Sequence, residues 1–293
     1  MFKFENEAID LFYYRIIIHI LNFFFSVYFK FCKENIQLNV INDGNPKIIV
    51  SLTSFPARIN YVWLTIESIL RQNQKPNMVI IWLSKQDFKS IDLLPQNILN
   101  QQKRGLQIRL VDDNLFPHKK YFYALQEFPE DIIITVDDDM IYPPNLFQKI
   151  MKYHKKYPDV IIAPISRKIA FDSGSILPYR YWNSTKEELD CSLLYHTMGG
   201  GGLLIKKSFF SETLFDVEEL KQLSLKTDDL WLKTHSLLKR TKVLPISHEF
   251  SRYPLPIKIK NNKTLMSINV GESINDVNFT LLTKEYDLFS ILI

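Results

Sequence analysis

Ile132-Ile133-Ile134-Thr135-Val136-Asp137-Asp138-Asp139 is the stretch that decides the fold. Five apolar or β-branched residues in a row describe a strand buried on both faces, as in a parallel sheet covered by helices. Three carboxylates then leave its carboxyl end, where an open α/β sheet binds its ligands. Adjacent carboxylates repel one another, so folding them together requires a cation or hydrogen-bond donors. A divalent metal is the economical solution, because carboxylate oxygens suit Mn2+ or Mg2+, ions that complete their shells with phosphate oxygens and water. On extended backbone Asp137 and Asp139 project to one side and Asp138 to the other. The competing reading is a solvated acidic turn before a helix opened by Pro144.

The flanking sequence repeats the alternation. Strands are expected at 48–52, 79–83, 106–111 and 160–165, and helices at 57–72, 91–101, 118–128 and 144–157. Residues 171–195 lack a clear period and read as an irregular excursion, a candidate acceptor-binding loop. After Leu203-Leu204-Ile205 come a short helix near Phe209, a helix over 227–239 and the strand-like Val243-Leu244. The class is therefore α/β, with a mainly parallel sheet.

Three further motifs carry chemistry. In Phe116-Pro117-His118-Lys119-Lys120 two cations stand at the positive end of a helix, which is locally unfavourable unless an anion compensates; a solvated lysine pair is the plain alternative. Met198-Gly199-Gly200-Gly201-Gly202 holds four of the eight glycines of the chain, a Cβ-free segment that a ligand can approach closely, or else a tight turn. Thr227-Asp228-Asp229-Leu230-Trp231 reads as a helix start capped by Thr227. Successive helical residues point about 100° apart, so one aspartate faces a pocket readily.

The stretch from Ile133 to Asp139, continued by Met140-Ile141-Tyr142-Pro143, resembles the D-x-D region of glycosyltransferases with the GT-A fold, especially family 2-like bacterial enzymes. Val50-Ser51-Leu52-Thr53-Ser54-Phe55-Pro56-Ala57-Arg58-Ile59 resembles their first strand and nucleotide-binding loop, and the likeness spans about residues 47–245. It implies a GT-A-like sheet with helices on both faces and a nucleotide-sugar donor, a UDP-sugar first. Thr53, Ser54 and Arg58 would surround the base and diphosphate, and Lys120, with Lys119 as second choice, would meet the diphosphate. Asp137 and Asp138 would lie near the ribose or metal-bound water, and Asp139, with Asp137 and His248, would hold Mn2+ or Mg2+. Gly200 and Gly201 would face the transferred sugar or acceptor, with His196 nearby. Asp229 would be the general base of an inverting transfer to a glycan or lipid-linked saccharide, with Asp228 as the alternative. Lipopolysaccharide or capsule biosynthesis is the implied setting.

Other classes fit less well. A haloacid-dehalogenase-like phosphatase places Thr where Ile141 stands, and a sugar nucleotidyltransferase carries a glycine-rich loop where Thr53 to Arg58 has none. Carboxylates at both motifs argue against an inert carbohydrate-binding protein.

The chain has 293 residues, 46% of them apolar, enough for one large core, and its net charge of +4 is too small to argue for nucleic acid as a partner. Two distant cysteines, Cys32 and Cys191, exclude a disulfide framework. The expected division is an aromatic helix over 1–40, a catalytic domain over 45–255 and a loosely defined tail over 256–293. Acidic residues before the first apolar segment are the wrong charge for an export signal. In residues 11–31, Arg15, His19, Asn22, Ser26 and Lys30 make one narrow polar stripe. Such a helix can lie in a membrane surface with its stripe toward water, pack on the domain, or span the bilayer. The first implies a cytoplasmic protein, peripheral on the inner face of the membrane.

Overall fold

A computed structural model of the chain describes residues 7–32, 38, 44–184, 190–246, 254–259 and 273–293, with side chains from Ile16 onward in the first helix. The first half alternates as the apolar runs demand: α1 (Glu7–Phe31), β1 (Ile48–Thr53), α2 (Val62–Leu70), β2 (Met78–Ser84), α3 (Gln96–Gln102), β3 (Leu106–Val111), α4 (Lys119–Glu127) and β4 (Ile132–Thr135). Then come β5 (Met140–Ile141), α5 (Leu146–Lys156), β6 (Ile161–Ala163) and the small strands β7 (Ser166–Lys168), β8 (Phe171–Asp172), β9 (Ser175–Ile176), β10 (Asn183–Ser184) and β11 (Tyr195–Thr197). The chain continues through β12 (Leu203–Ile205), α6 (Val217–Leu223), α7 (Asp228–Leu238), β13 (Val243–Pro245), β14 (Leu255–Pro256), α8 (Ile274–Tyr286) and α9 (Leu288–Leu292).

Seven strands form the main sheet in the order β13-β6-β12-β4-β1-β2-β3. All neighbours are parallel except β12, which runs antiparallel to both β4 and β6. From β1 the chain adds β2 and β3 on one side, then returns to lay β4 on the other. The winding therefore reverses between β1 and β4, and a crevice opens at their carboxyl ends. Ser51 pairs with Thr135, and the Val136 amide donates to the Ser51 carbonyl at 3.1 Å. This register makes Ser54 and the three aspartates leave the sheet side by side. Ile49, Val50, Leu52, Ile80, Ile81, Ile133 and Ile134 have no exposed surface, as expected of strands covered on both faces.

Local chemistry shortens several expected elements. The segment 57–61 is a turn rather than the first part of α2, with the Arg58 amide bonded to the Phe55 carbonyl at 2.9 Å. Pro95 splits the helix expected over 91–101 into a single turn at Ile91–Leu93 and α3, because a residue before proline avoids the helical region. Residues 171–195 are not irregular throughout: β8 pairs with β9, and β10-β7-β11 make an antiparallel sheet. Strands of two or three residues have too few positions to show a period. Thr227 precedes α7 but makes no side-chain cap; its hydroxyl bonds instead to Ser224 and Asn278. The tail beyond 256 contains α8 and α9, both packed against α7.

Candidate active site

The first turn after β1 and the loop after β4 meet through Asp138. Its carboxylate accepts from the Ser54 hydroxyl at 2.5 Å and from the Arg58 guanidinium at 2.7 Å, and its backbone carbonyl accepts from Thr65 at 3.0 Å. Arg58 reaches Asp139 as well, at 3.0 Å. Asp138 is buried, whereas Asp137 and Asp139 keep part of their carboxylates open to solvent. Burial and the neighbouring Asp137 push the Asp139 carboxyl up to about 7, against the pull of Arg58. Three carboxylates here meet two cations, Arg58 and Lys120, and the hard oxygen donors of Asp137 and Asp139 fit a divalent cation on the open side. Among the described residues no group of three His, Cys, Asp or Glu side chains gathers closely enough to hold an ion alone.

Lys120 supplies the second contact. Buried at the start of α4, its ammonium lies 2.8 Å from Asp137 and 2.9 Å from Asp228, at the start of α7. Burial disfavours its charge, but Asp137, Asp228 and Asp229 outweigh that and keep it protonated. The same pairing, aided by His118, overcomes burial at Asp228 and holds that carboxyl below its ordinary range. Asp229 behaves oppositely: burial and repulsion from Asp228 drive its carboxyl well above the ordinary range, against Lys120. Two adjacent acids are thereby separated into an ion-paired carboxylate and a basic one.

The glycine run closes this centre. Gly199 donates its amide to Asp229 at 3.1 Å. A Cβ on Gly199 would stand 2.8 Å from the Lys120 ammonium, and one on Gly200 would stand 3.1 Å from Asp137. Gly201 is packed against Ile165, and Gly202 has a φ of 86°, the left-handed turn that redirects the chain into β12. Tyr142 ties the triplet to this run, accepting from the Asp137 amide at 2.9 Å and donating to the Gly200 carbonyl at 3.1 Å.

Most of the residues singled out in the sequence therefore converge, though several have partners other than those expected. Arg58 and Lys120, expected on a diphosphate, are held by the aspartates themselves. Lys119 donates to Asn114 at 2.7 Å, and burial lowers its pKa to about 8. Thr53 donates its hydroxyl to the Trp82 carbonyl at 2.7 Å, along the sheet. His196 is enclosed by Tyr179 and Trp182, with ring centres 5.5 Å away in each case, and burial lowers its pKa to about 3. His248 lies outside the described residues. Sequence reasoning missed Tyr142, Thr65 and His118. His118 is fully buried between the Tyr121 hydroxyl at 2.5 Å and the Ser224 carbonyl at 2.9 Å. Only Tyr142 left a signal, as an aromatic residue three positions beyond the triplet.

The profile of glycosyl transferase family 2 matches residues 48–213, more than half of the chain and the whole stretch from β1 through the glycine run. The chain belongs to that family. Its fold resembles that of the mannosyltransferase PcManGT from Pyrobaculum calidifontis, solved with GDP-Man and Mn2+, at a TM-score of 0.51 and 11% identity over 94% of this chain and 79% of that one. S. aureus TarS 1-349 in complex with UDP-GlcNAc aligns at a TM-score of 0.47 and 15% identity, over 75% of this chain and 60% of that one. The complex of the same fragment with UDP aligns at 0.44 and 15%, over 68% of this chain and 58% of that one. The chain thus spans less than two thirds of the TarS fragment. No curated protein matches it. The α/β architecture is GT-A-like, with its acidic loop at the switch between β1 and β4.

Proposed function

We propose that the chain moves a sugar from a nucleotide-sugar donor, a UDP-sugar first, to a hydroxyl of a glycan or lipid-linked saccharide, with inversion at the anomeric carbon. The observation that carries this reading is the separation of Asp229 from Asp228. Asp229 is the raised, largely buried carboxylate beside a glycine backbone, and Asp228 is the buried partner of Lys120.

In this reading Asp229 accepts the proton of the acceptor hydroxyl as its oxygen attacks, and the Gly199 amide fixes the carboxylate for that role. Gly199 and Gly200 let Lys120 and Asp137 pack against the backbone beside Asp229, since a Cβ at either position would crowd them. Lys120 holds Asp137 and the start of α7 in one frame, and Arg58 holds Asp138 and Asp139. Asp137 and Asp139 would hold Mn2+ or Mg2+, with donor phosphate oxygens and water completing the shell, and the ion would stabilise the departing nucleoside diphosphate. His248 stands as a further candidate ligand. Cell-envelope glycan, as in lipopolysaccharide or capsule, is the proposed setting.

The test is purified protein with Mn2+ and a panel of sugar nucleotides and saccharide acceptors. Release of nucleoside diphosphate, with a product of inverted anomeric configuration by NMR, is expected. Release of inorganic phosphate or pyrophosphate instead, or a product of retained configuration, overturns the proposal.

A further inference from the structure

The helix α1 is apolar on two sides. Phe25 and Phe29 turn toward the domain, where Phe29 is buried and its ring centre lies 5.1 Å from the Arg71 guanidinium. Ile16, Ile17, Ile20, Phe23, Phe24 and Phe31 face outward, with Phe23 73% and Phe31 81% exposed. At the helical rotation per residue, these six fill an arc of about 120° along one side. A continuous exposed apolar ridge of this kind marks an interaction surface.

The polar stripe does not simply point at water. It runs along the flank, where Asn22 donates to the Pro256 carbonyl at 3.0 Å and accepts from the Lys258 amide at 3.1 Å. His19 meets the Lys258 ammonium. Between these two strap residues, the Ile257 amide donates to the Asp139 carbonyl at 2.6 Å. The helix is therefore tied through three consecutive residues to the acidic loop.

We propose that α1 is an interfacial helix whose outer ridge lies in the headgroup layer of an anionic lipid bilayer, with its axis in the membrane plane and the catalytic domain on the water side. A helix held along one side by its own domain and along its flank by Asn22 cannot thread a bilayer. Among the described residues no helix is long and apolar enough to cross one. Phe23, Phe24, Tyr28 and Phe31 are side chains that favour the membrane interface. Lys30 and Lys258, both exposed, border the ridge and give anionic headgroups their counter-charge, which favours a lipid surface over a second copy of the chain. Because the strap joins α1 to Asp139, docking would hold the active site in a fixed pose above that surface. For a lipid-linked acceptor this places donor and acceptor at the same boundary. That last consequence rests on the proposed transfer reaction; the docking itself does not.

Full-length protein is sedimented with mixed phosphatidylcholine–phosphatidylglycerol vesicles and with pure phosphatidylcholine vesicles, in the absence of donor. Preferential binding to the anionic vesicles and release by alkaline carbonate are expected. The double variant Phe23→Glu, Phe31→Glu should lose at least about tenfold in partition coefficient, the scale of withdrawing one large apolar side chain from the interface. Its melting temperature and its release of nucleoside diphosphate from the donor should stay unchanged. The proposal is overturned by absence of vesicle binding, by equal binding of the two vesicle types, or by undiminished binding of the double variant. Resistance to carbonate, which means a spanning helix, also overturns it, as does a dimer by light scattering that the double variant dissociates without vesicle binding. Loss of sugar transfer with vesicle binding intact would instead count against the proposed reaction alone.

Discussion

Lys120 and Asp228, 108 positions apart in the chain, place the first turns of α4 and α7 in contact through an ion pair of 2.9 Å. The unfavourable meeting of a lysine with a helix N-terminus is thus answered from within the protein, by a carboxylate at the N-terminus of another helix. Asp137 completes the arrangement on the other side of the ammonium.

Replacing Lys120 by Met removes the cation that faces both acids. A buried charge left without its partner costs about 3–5 kcal/mol. Lys120→Met should lower the urea midpoint at neutral pH and abolish transfer. Stability should partly return as pH falls, because burial without Lys120 raises Asp228 and its protonation then removes the unpaired charge. A variant as stable as the parent at pH 7 would show that the ion pair is not formed in solution.

Asp229→Asn keeps size and the possibility of a bond to Gly199 while removing the basic oxygen. The expected loss in kcat is about 10²–10⁴-fold, the range for a positioned general base, with donor affinity nearly unchanged. Steady-state kinetics with titration calorimetry of the nucleotide separates the two quantities. Asp228→Asn retaining less activity than Asp229→Asn would reverse the roles.

The pH profile carries its own signature. Burial, and then repulsion from Asp228, raise Asp229, with Lys120 opposing and Asp137 reinforcing the rise. A raised acid gains its carboxylate form only as pH climbs through the raised value, so the acidic limb of kcat/KM should lie above the usual aspartate range of about 4. Asp228→Asn removes the adjacent negative charge and should move that limb to lower pH. An unmoved limb would assign it to another group.

Gly199→Ala tests the close approach of the glycine run. The added methyl would stand 2.8 Å from the Lys120 ammonium and 3.3 Å from Asp229, so one of these groups must shift. Transfer should fall by about 10²-fold, as it does when a catalytic group is displaced by an ångström. Gly174→Ala makes a useful contrast, since nothing lies within 4 Å of the added atom, although its φ of 79° carries local strain. It should change stability more than activity.

Arg58 is shared by Asp138 and Asp139. Arg58→Lys preserves charge but supplies no planar fork to span two carboxylates. Weaker Mn2+-dependent donor binding is expected, together with a modest loss of stability, read by calorimetry and thermal melting. Unchanged donor affinity would show that the acidic loop keeps its shape without the guanidinium.

The central strands were legible because a strand covered on both faces is a nearly continuous apolar run, as Ile48 to Leu52 and Ile132 to Val136 are, interrupted only by Ser51 and Thr135. The antiparallel course of β12 was not, since Leu203-Leu204-Ile205 reads the same in either direction. Helix α8 escaped notice because its apolar positions, such as Phe279 and Leu282, are interspersed with exposed Val277 and Leu281. At the site, residue types were readable but partners were not. Lys120 announced that it needed an anion, and only the fold decides between a diphosphate and the carboxylates of Asp137 and Asp228. Asp138 and Arg58 likewise meet only once β1 and β4 lie side by side. The outward ridge of α1 was hidden by its composition: an apolar residue on a helix does not reveal whether it faces the core or away from it.

The proposed centre draws Ser54 and Arg58 from the loop after β1, Lys120 from α4, Asp137 to Asp139 from the loop after β4, Gly199 from the turn before β12, and Asp229 from α7. A chain emerging from the ribosome carries no competent centre until the codons for α7 have been translated and that helix has docked. Prematurely terminated products would lack both the proposed base and the carboxylate that pairs with Lys120.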